Sequence, residues 1–143
     1  MTYTFFVPGL PRPGGSKKAF YIKSLGRAII TDDCNNKDWK TAVKWAGKEA
    51  IKVPIAGAVE IECTFYMPRI KAHYRTGAHV AMLRGDAPLR HTKKPDATKL
   101  WRSTEDALTG IAWRDDAQIC DQTVRKRYNA DSIGAQITIT ELA

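Results

Sequence analysis

The sequence predicts an α+β fold in which a mixed sheet of four or five strands packs against two main helices. Three observations carry this reading. Val59 to Met67 alternates apolar with polar side chains, the pattern of a half-buried strand. Residues 38–50 and 96–110 repeat their apolar side chains at steps of three and four, the pattern of helices with one face on a core. The chain has 143 residues with 43% hydrophobic content, enough for one core and too short for two comfortable ones, so residues 1–143 are expected to form one domain.

Taken in order, Thr2 to Pro8 places Tyr3, Phe5 and Val7 against Thr4 and Phe6, a first strand apolar on both faces and therefore expected inside the sheet. Residues 9–16, GLPRPGGS, hold glycines and prolines that break both ladder and helix. Arg12, Lys17 and Lys18 decorate this loop as candidate contacts for an anionic partner. Its glycines suit close approach to a phosphate, although their spacing matches neither a P-loop nor a dinucleotide motif. Phe20 to Ile22 and Ala28 to Thr31 read as a short hairpin. A helix follows from near Asp38, its apolar side formed by Trp39, Ala42, Val43, Ala46 and Ala50. Lys40, Lys44 and Lys48 recur at steps of four and read as a solvated face.

The strand from Val59 to Met67 turns Glu60 and Glu62 outward, where no partner motif makes them ligands. The connection after it is long and basic, covering about residues 68–94 and including Arg69, Lys71, Lys93 and Lys94 as candidate DNA contacts. Its periodicity is weak. Arginines interleaved with Tyr74 and His79 suit a clamp on a nucleic-acid backbone that orders on binding.

In the second helix Ala97, Leu100, Trp101, Ala107 and Leu108 share one side, leaving Thr98, Lys99, Arg102, Ser103, Glu105 and Asp106 on the other. Pro95 keeps Lys94 out of the helical region, Asp96 is placed to accept hydrogen bonds from the first free amides, and Gly110 supplies a left-handed stop. Ile111 to Trp113 reads as a strand folding back beside the helix, which would carry Asp115 and Asp116 to Asp96. Carboxylates brought together repel unless a cation lies between them, and Mg²⁺ takes such oxygen ligands. The spacing alone equally describes a helix cap followed by an acidic turn. Ile119 to Tyr128 forms the next strand, and its basic end, Arg125, Lys126 and Arg127, either reaches a phosphate or blunts a sheet edge. Gln136 to Leu142 supplies the last strand.

The net charge of +8 is local: residues 1–31 and 68–94 together carry +11, so the rest of the chain carries −3. Such segments suit a polyanionic partner, and equally serve solubility. Cys34, Cys63 and Cys120 are an odd, scattered set, which excludes a disulfide framework and a zinc site. Cys63 and Cys120 are expected as small buried thiols in strands. His73, His79 and His91 lack the spacing of a metal pair and are expected in loops, His91 within reach of a phosphate. No apolar run approaches a membrane span, and Met1 to Gly9 lacks the pattern of a signal peptide, so a soluble cytoplasmic protein is expected.

The run KPDATKLWRSTEDALTGIAWRDDAQICDQTVRKRY resembles the RusA-type Holliday-junction resolvases, whose pattern joins a KPDxDNL segment, a DALxG helix end and a DDxQ turn ahead of a basic strand. The opening strand with its Pro/Gly loop and the closing ITITEL strand are similar too. The resemblance implies a homodimeric crossover-junction endodeoxyribonuclease that binds four-way DNA junctions and cuts them with Mg²⁺ or Mn²⁺, in recombination and repair. It implies Asp96 and Asp116 as metal ligands, with Asp115 a further candidate, and Arg102 and Lys99 as the basic catalytic residues. Arg12, Lys17, Lys18, Arg125 and Lys126 join Arg69, Lys71, Lys93 and Lys94 as the implied DNA contacts. Thr98 stands where the pattern has a second aspartate, which removes one negative charge. Three outcomes fit: a weakly active variant, recruitment of another carboxylate such as Asp106 or Asp115, or a junction-binding protein that no longer cleaves.

Overall fold

The computed structural model describes residues 1–15, 17–32, 35–129 and 131–143, with only the backbone of 17–20 and 30–32. Strands β1 (Thr2–Pro8), β2 (Lys17–Ile22) and β3 (Arg27–Asp32) precede helix α1 (Lys37–Ala50) and strand β4 (Val59–Met67). Helix α2 (Ala97–Leu108) and strands β5 (Ile119–Tyr128) and β6 (Gly134–Glu141) follow. One sheet has the order β1-β6-β4-β5 and is mixed, since β4 runs parallel to β5 and antiparallel to β6. β2 and β3 form a separate antiparallel hairpin. The α+β architecture read from the sequence is therefore present, with four strands in the main sheet.

β4 lies inside the sheet because its inward residues, Val59, Ile61, Cys63, Phe65 and Met67, are all buried. They meet Ile137 and Ile139 of β6 and the apolar faces of both helices, where Trp39, Val43, Leu100 and Leu108 are buried as well. α1 and α2 approach closely at Gly47, where a Cβ would lie 2.8 Å from Leu108 Cδ2. Burial of each fully enclosed large apolar side chain contributes about 1.5–3 kcal/mol, so this layer supplies most of what holds the sheet to the helices.

Three expectations are corrected. β1 is an edge strand, not an interior one; α1 packs on it, and on its sheet-ward side Gly134 allows close approach. There φ is +153° and a Cβ would lie 2.1 Å from Val7 O and 2.7 Å from Phe6 Cζ. Ile111 to Trp113 is a turn, not a strand: the amides of Ile111 and Ala112 both return to Leu108 O at 2.9 Å, and Trp113 is driven inward to lie 6.4 Å from Trp101. The basic connection is also built, with short 3₁₀ turns at Lys71–His73 and Gly77–His79. It closes on itself through Arg75 N to Met82 O and Arg84 N to His73 O, both at 2.8 Å. Tyr128 anchors it, with His73 edge-on at 5.2 Å and the Arg69 guanidinium over the ring at 4.4 Å.

Cys63 is buried as expected, whereas Cys120 is exposed because its side of β5 faces solvent at the sheet edge. Cys34 and the side chains of Lys17 and Lys18 lie outside the described residues.

Candidate active site

α2 positions every residue of the candidate site, either on its exposed face or at its two ends. At the N-terminal end Asp96 has the extended backbone of a cap (φ −69°, ψ 144°), yet its carboxylate bonds no helix amide. It is exposed and lies 3.9 Å from Lys99 Nζ, so cations rather than amides attract it, which corrects the capping expectation. The preceding turn is held from β5: Lys126 Nζ donates to Lys93 O at 2.8 Å and to Pro95 O at 2.9 Å. Desolvation lowers the Lys126 pKa, and the nearby Asp96 charge opposes that shift. Lys93 and Lys94 are exposed beside it. A groove of about 290 Å³ lined by Leu10, Arg12, Met67, Lys94 and Pro95 opens at this end.

The Pro/Gly loop crosses the middle of α2. Gly14 N donates to Lys99 O at 2.8 Å, and Ser103 Oγ donates to Arg12 O at 2.5 Å. A Cβ on Gly14 would sit 3.0 Å from that of Ser103, and Gly15, at φ +86°, lies against the Arg102 stem. Gly14 and Gly15 thus allow the loop to approach the helix. Arg102 remains exposed.

The C-terminal end is acidic. Asp116 Oδ1 accepts from Thr109 Oγ1, and from Trp113 Nε1 at 3.2 Å. The rest of the DDAQ turn explains how Asp116 is aimed. Asp115 accepts from Ala117 N at 2.8 Å, while Gln118 Oε1 accepts from Asp115 N at 2.9 Å, a reciprocal capping box. Gln118 Nε2 then donates to Ile55 O and Gly57 O, both at 2.8 Å, fastening the turn to the chain ahead of β4. Asp115 is occupied as a cap, and Asp106 lies 3.9 Å from Lys40 Nζ on α1.

Glu105 is the residue that the sequence reading passed over. It is half-buried, and among the described residues no donor bonds its carboxylate. Burial raises its pKa first, and the charges of Asp116 and Asp106 raise it further, while Arg102 opposes them. The available signal was spacing: Thr98, Arg102, Glu105 and Thr109 follow i, i+4, i+7 and i+11, a single stripe along α2. Glu105 lies two turns after Thr98 and within reach of the Asp116 charge.

The two motif aspartates do not meet within one chain. Asp96 precedes α2, whereas Asp116 is bonded to Thr109 just past its other end, thirteen residues on and about 20 Å along the axis. Ligands of one Mg²⁺ lie about 2 Å from it, so the two carboxylates of a single chain cannot share an ion. Among the described residues no group of three His, Cys, Asp or Glu side chains is placed to hold a metal. A resident divalent ion on Asp96 plus Asp116 therefore does not fit one chain.

Of the other basic residues singled out, Lys71 is exposed. Arg69 donates to Pro88 O at 2.8 Å, Arg125 donates to Glu62 at 3.1 Å, and Lys126 is engaged as described. His91 is half-buried against the Tyr128 ring at 4.8 Å, and desolvation followed by the Lys126 charge lowers its pKa.

Among the described residues no helix is long and apolar enough to cross a membrane. A search of curated proteins finds no match. The family model described as endodeoxyribonuclease RusA matches residues 9–140, which take in the Pro/Gly loop after β1, both helices, the Asp96 turn and the Asp116 turn. The chain therefore belongs to the RusA endodeoxyribonuclease family.

Proposed function

We propose that the protein is a structure-selective endonuclease that resolves four-way DNA junctions by phosphodiester hydrolysis, in recombination and repair, with Mg²⁺ or Mn²⁺ as cofactor. The observation that carries this reading is the exposed face of α2, where Asp96, Lys99 and Arg102 line one approach within a family match over residues 9–140. A phosphate at this face meets two different cations. Arg102 offers a planar fork for two phosphate oxygens and stays charged at any accessible pH, so it stabilises charge but gives up no proton. Lys99 presents a point charge held near the Asp96 carboxylate and is the group able to donate a proton. Lys71, Lys93, Lys94 and Arg12 extend the cationic surface that would track the DNA backbone.

A second reading, a junction-binding protein that does not cleave, is favoured by Thr98 in place of a carboxylate and by the separation of Asp96 from Asp116. Nicking and binding of a synthetic four-way junction by the unmodified chain, Asp96→Asn and Asp116→Asn separate the two. Loss of nicking with binding retained in both variants supports the endonuclease. Salt-sensitive binding by all three chains with no nicking at any Mg²⁺ or Mn²⁺ concentration supports the binder.

A further inference from the structure

Of the four tryptophans, Trp39, Trp101 and Trp113 are buried, whereas Trp45 stands 71% exposed on α1. The core side of this helix is filled by Trp39, Val43 and Gly47, so Trp45 faces solvent. It lies in a groove of about 480 Å³ lined by Thr41, Lys44, Trp45, Lys48, Glu49 and Lys52. Two of these groups turn back on the helix itself: Thr41 Oγ1 donates to Lys37 O at 2.9 Å, and Lys52 Nζ donates to Lys48 O at 3.3 Å. Lys44 and Lys48 are exposed, and among the described residues no carboxylate pairs with either ammonium group. At about 100° per residue both fall on one flank of Trp45, with Glu49 on the other. They stand about 6 Å apart along the axis, with Trp45 between them. Lys40, one turn earlier, meets Asp106 of α2 at 3.9 Å, so the row of lysines begins at the exposed face of α2 and continues on α1. None of Asp96, Lys99, Arg102 and Asp116 lines the groove, which is therefore separate from the candidate active site.

An indole set between two unpaired ammonium groups matches a polyanion that carries flat aromatic groups at regular intervals, which is the chemistry of a nucleic-acid strand. In a duplex each base face is covered by its neighbours, and a side chain standing on the outside of a helix reaches none of them. An unpaired base turns its face outward and stacks on an indole, while ammonium groups hold the phosphates on either side. We propose that the outer face of α1 binds an unpaired strand of DNA, with one base stacked on Trp45 and the neighbouring phosphates held by Lys44 and Lys48. This goes beyond the endonuclease reading above. It adds a second DNA contact, outside the active site, that favours branched substrates carrying a single-stranded segment, and it holds whether or not the chain cleaves.

Fluorescence anisotropy of a labelled oligothymidylate tests the proposal, with a fully paired four-way junction measured in parallel. The unmodified chain is expected to bind the oligothymidylate with an affinity that falls as salt rises. Trp45→Ala is expected to weaken that binding about 10-fold and Trp45→Phe to retain most of it, with affinity for the paired junction changed by no more than about two-fold in either. An abasic strand of the same length keeps the phosphates and lacks the bases, so on it Trp45→Ala is expected to cost nothing. Lys44→Ala combined with Lys48→Ala is expected to reduce the slope of log affinity against log salt by about 1.4, since each phosphate held on a single strand contributes about 0.7. The three positions are exposed, and thermal melting checks that the variants fold as the unmodified chain does. An oligothymidylate left unbound by the unmodified chain, or bound equally well by Trp45→Ala, overturns the proposal. So does a loss as large on the abasic strand as on the oligothymidylate, or one shared by the paired junction. A Trp45→Ala chain that passes from dimer to monomer in size-exclusion chromatography with its oligothymidylate affinity intact overturns it in favour of a second copy on this face. Failure of the unmodified chain to nick a junction bears on the endonuclease reading alone, since every readout here is binding.

Discussion

Lys126 on β5 donates to the carbonyl of Pro95 at 2.9 Å as well as to that of Lys93, so a strand outside the DATKL segment fixes the turn that presents Asp96. Its half-buried stem and two acceptors make it a brace for the backbone rather than a free phosphate contact. Lys126→Met leaves both carbonyls without that donor. Stability is expected to fall by about 1–3 kcal/mol in urea unfolding, with junction nicking reduced alongside. Arg125→Met, which removes only an exposed pair with Glu62, is expected to cost less than about 1 kcal/mol.

Thr98 and Glu105 lie on one stripe of α2, and this shared face sets a second prediction. Thr98→Asp is expected to lower the Mg²⁺ concentration that gives half-maximal nicking, by about 10-fold if the added carboxylate joins the ligands directly or orients one. Glu105→Gln is expected to raise it by a comparable factor while leaving junction binding in place. A metal titration unchanged in both variants would show that neither position contributes.

Two buried indoles differ in one respect. Trp39 Nε1 donates to Thr104 Oγ1 at 3.1 Å, whereas Trp101 Nε1 is buried and has no partner among the described residues. An unmet buried donor costs about 1–3 kcal/mol, so Trp101→Phe recovers part of what it loses in packing. Trp39→Phe is expected to lower the unfolding free energy more than Trp101→Phe, by about 1 kcal/mol or more. Equal losses would contradict the assignment of these hydrogen bonds.

Cys63 and Cys120 should differ in reactivity. Burial pushes the Cys63 thiol far up, whereas Cys120 is exposed on β5. Alkylation of the native chain at neutral pH is expected to modify Cys120 and to reach Cys63 only after unfolding, read by peptide mass spectrometry. The raised pKa also fixes a sign. The folded chain keeps the Cys63 proton that the unfolded chain releases near the ordinary value of 9.0. That contribution is complete below this pH and is lost as pH rises above it. Cys63→Ala should flatten the alkaline fall in stability.

Much of this architecture was legible in the residues. β4 begins and ends where alternation does, because it must present one consistent face to the core. α2 follows its apolar stripe for the same reason, and the DDAQ turn was visible as a motif. What periodicity does not reveal is which neighbour an element has. It therefore made β1 interior when Tyr3 and Phe5 serve an edge partly covered by α1, and it made Ile111 to Trp113 a strand when Trp113 is drawn into the core. The same limit hid the distance from Asp96 to Asp116: the helix between them was read to its full length, but Ile111 to Trp113 turns at its C-terminal end instead of returning beside it. Glu105 was passed over because a carboxylate on a polar face is ordinary until Asp116 is found beside it. The connection from Arg69 to Lys94 read as unstructured because its order comes from Tyr128 and backbone carbonyls rather than from a repeating pattern.

Incubation of the unmodified chain with a synthetic four-way junction and, separately, with linear duplex of the same sequence, in Mg²⁺ or Mn²⁺, tests the central claim most directly. Symmetric nicks in the junction, with the duplex left intact and no cutting after chelation of the metal, are predicted. A junction bound but never cut at any concentration of either ion, or junction and duplex cut alike, would contradict it.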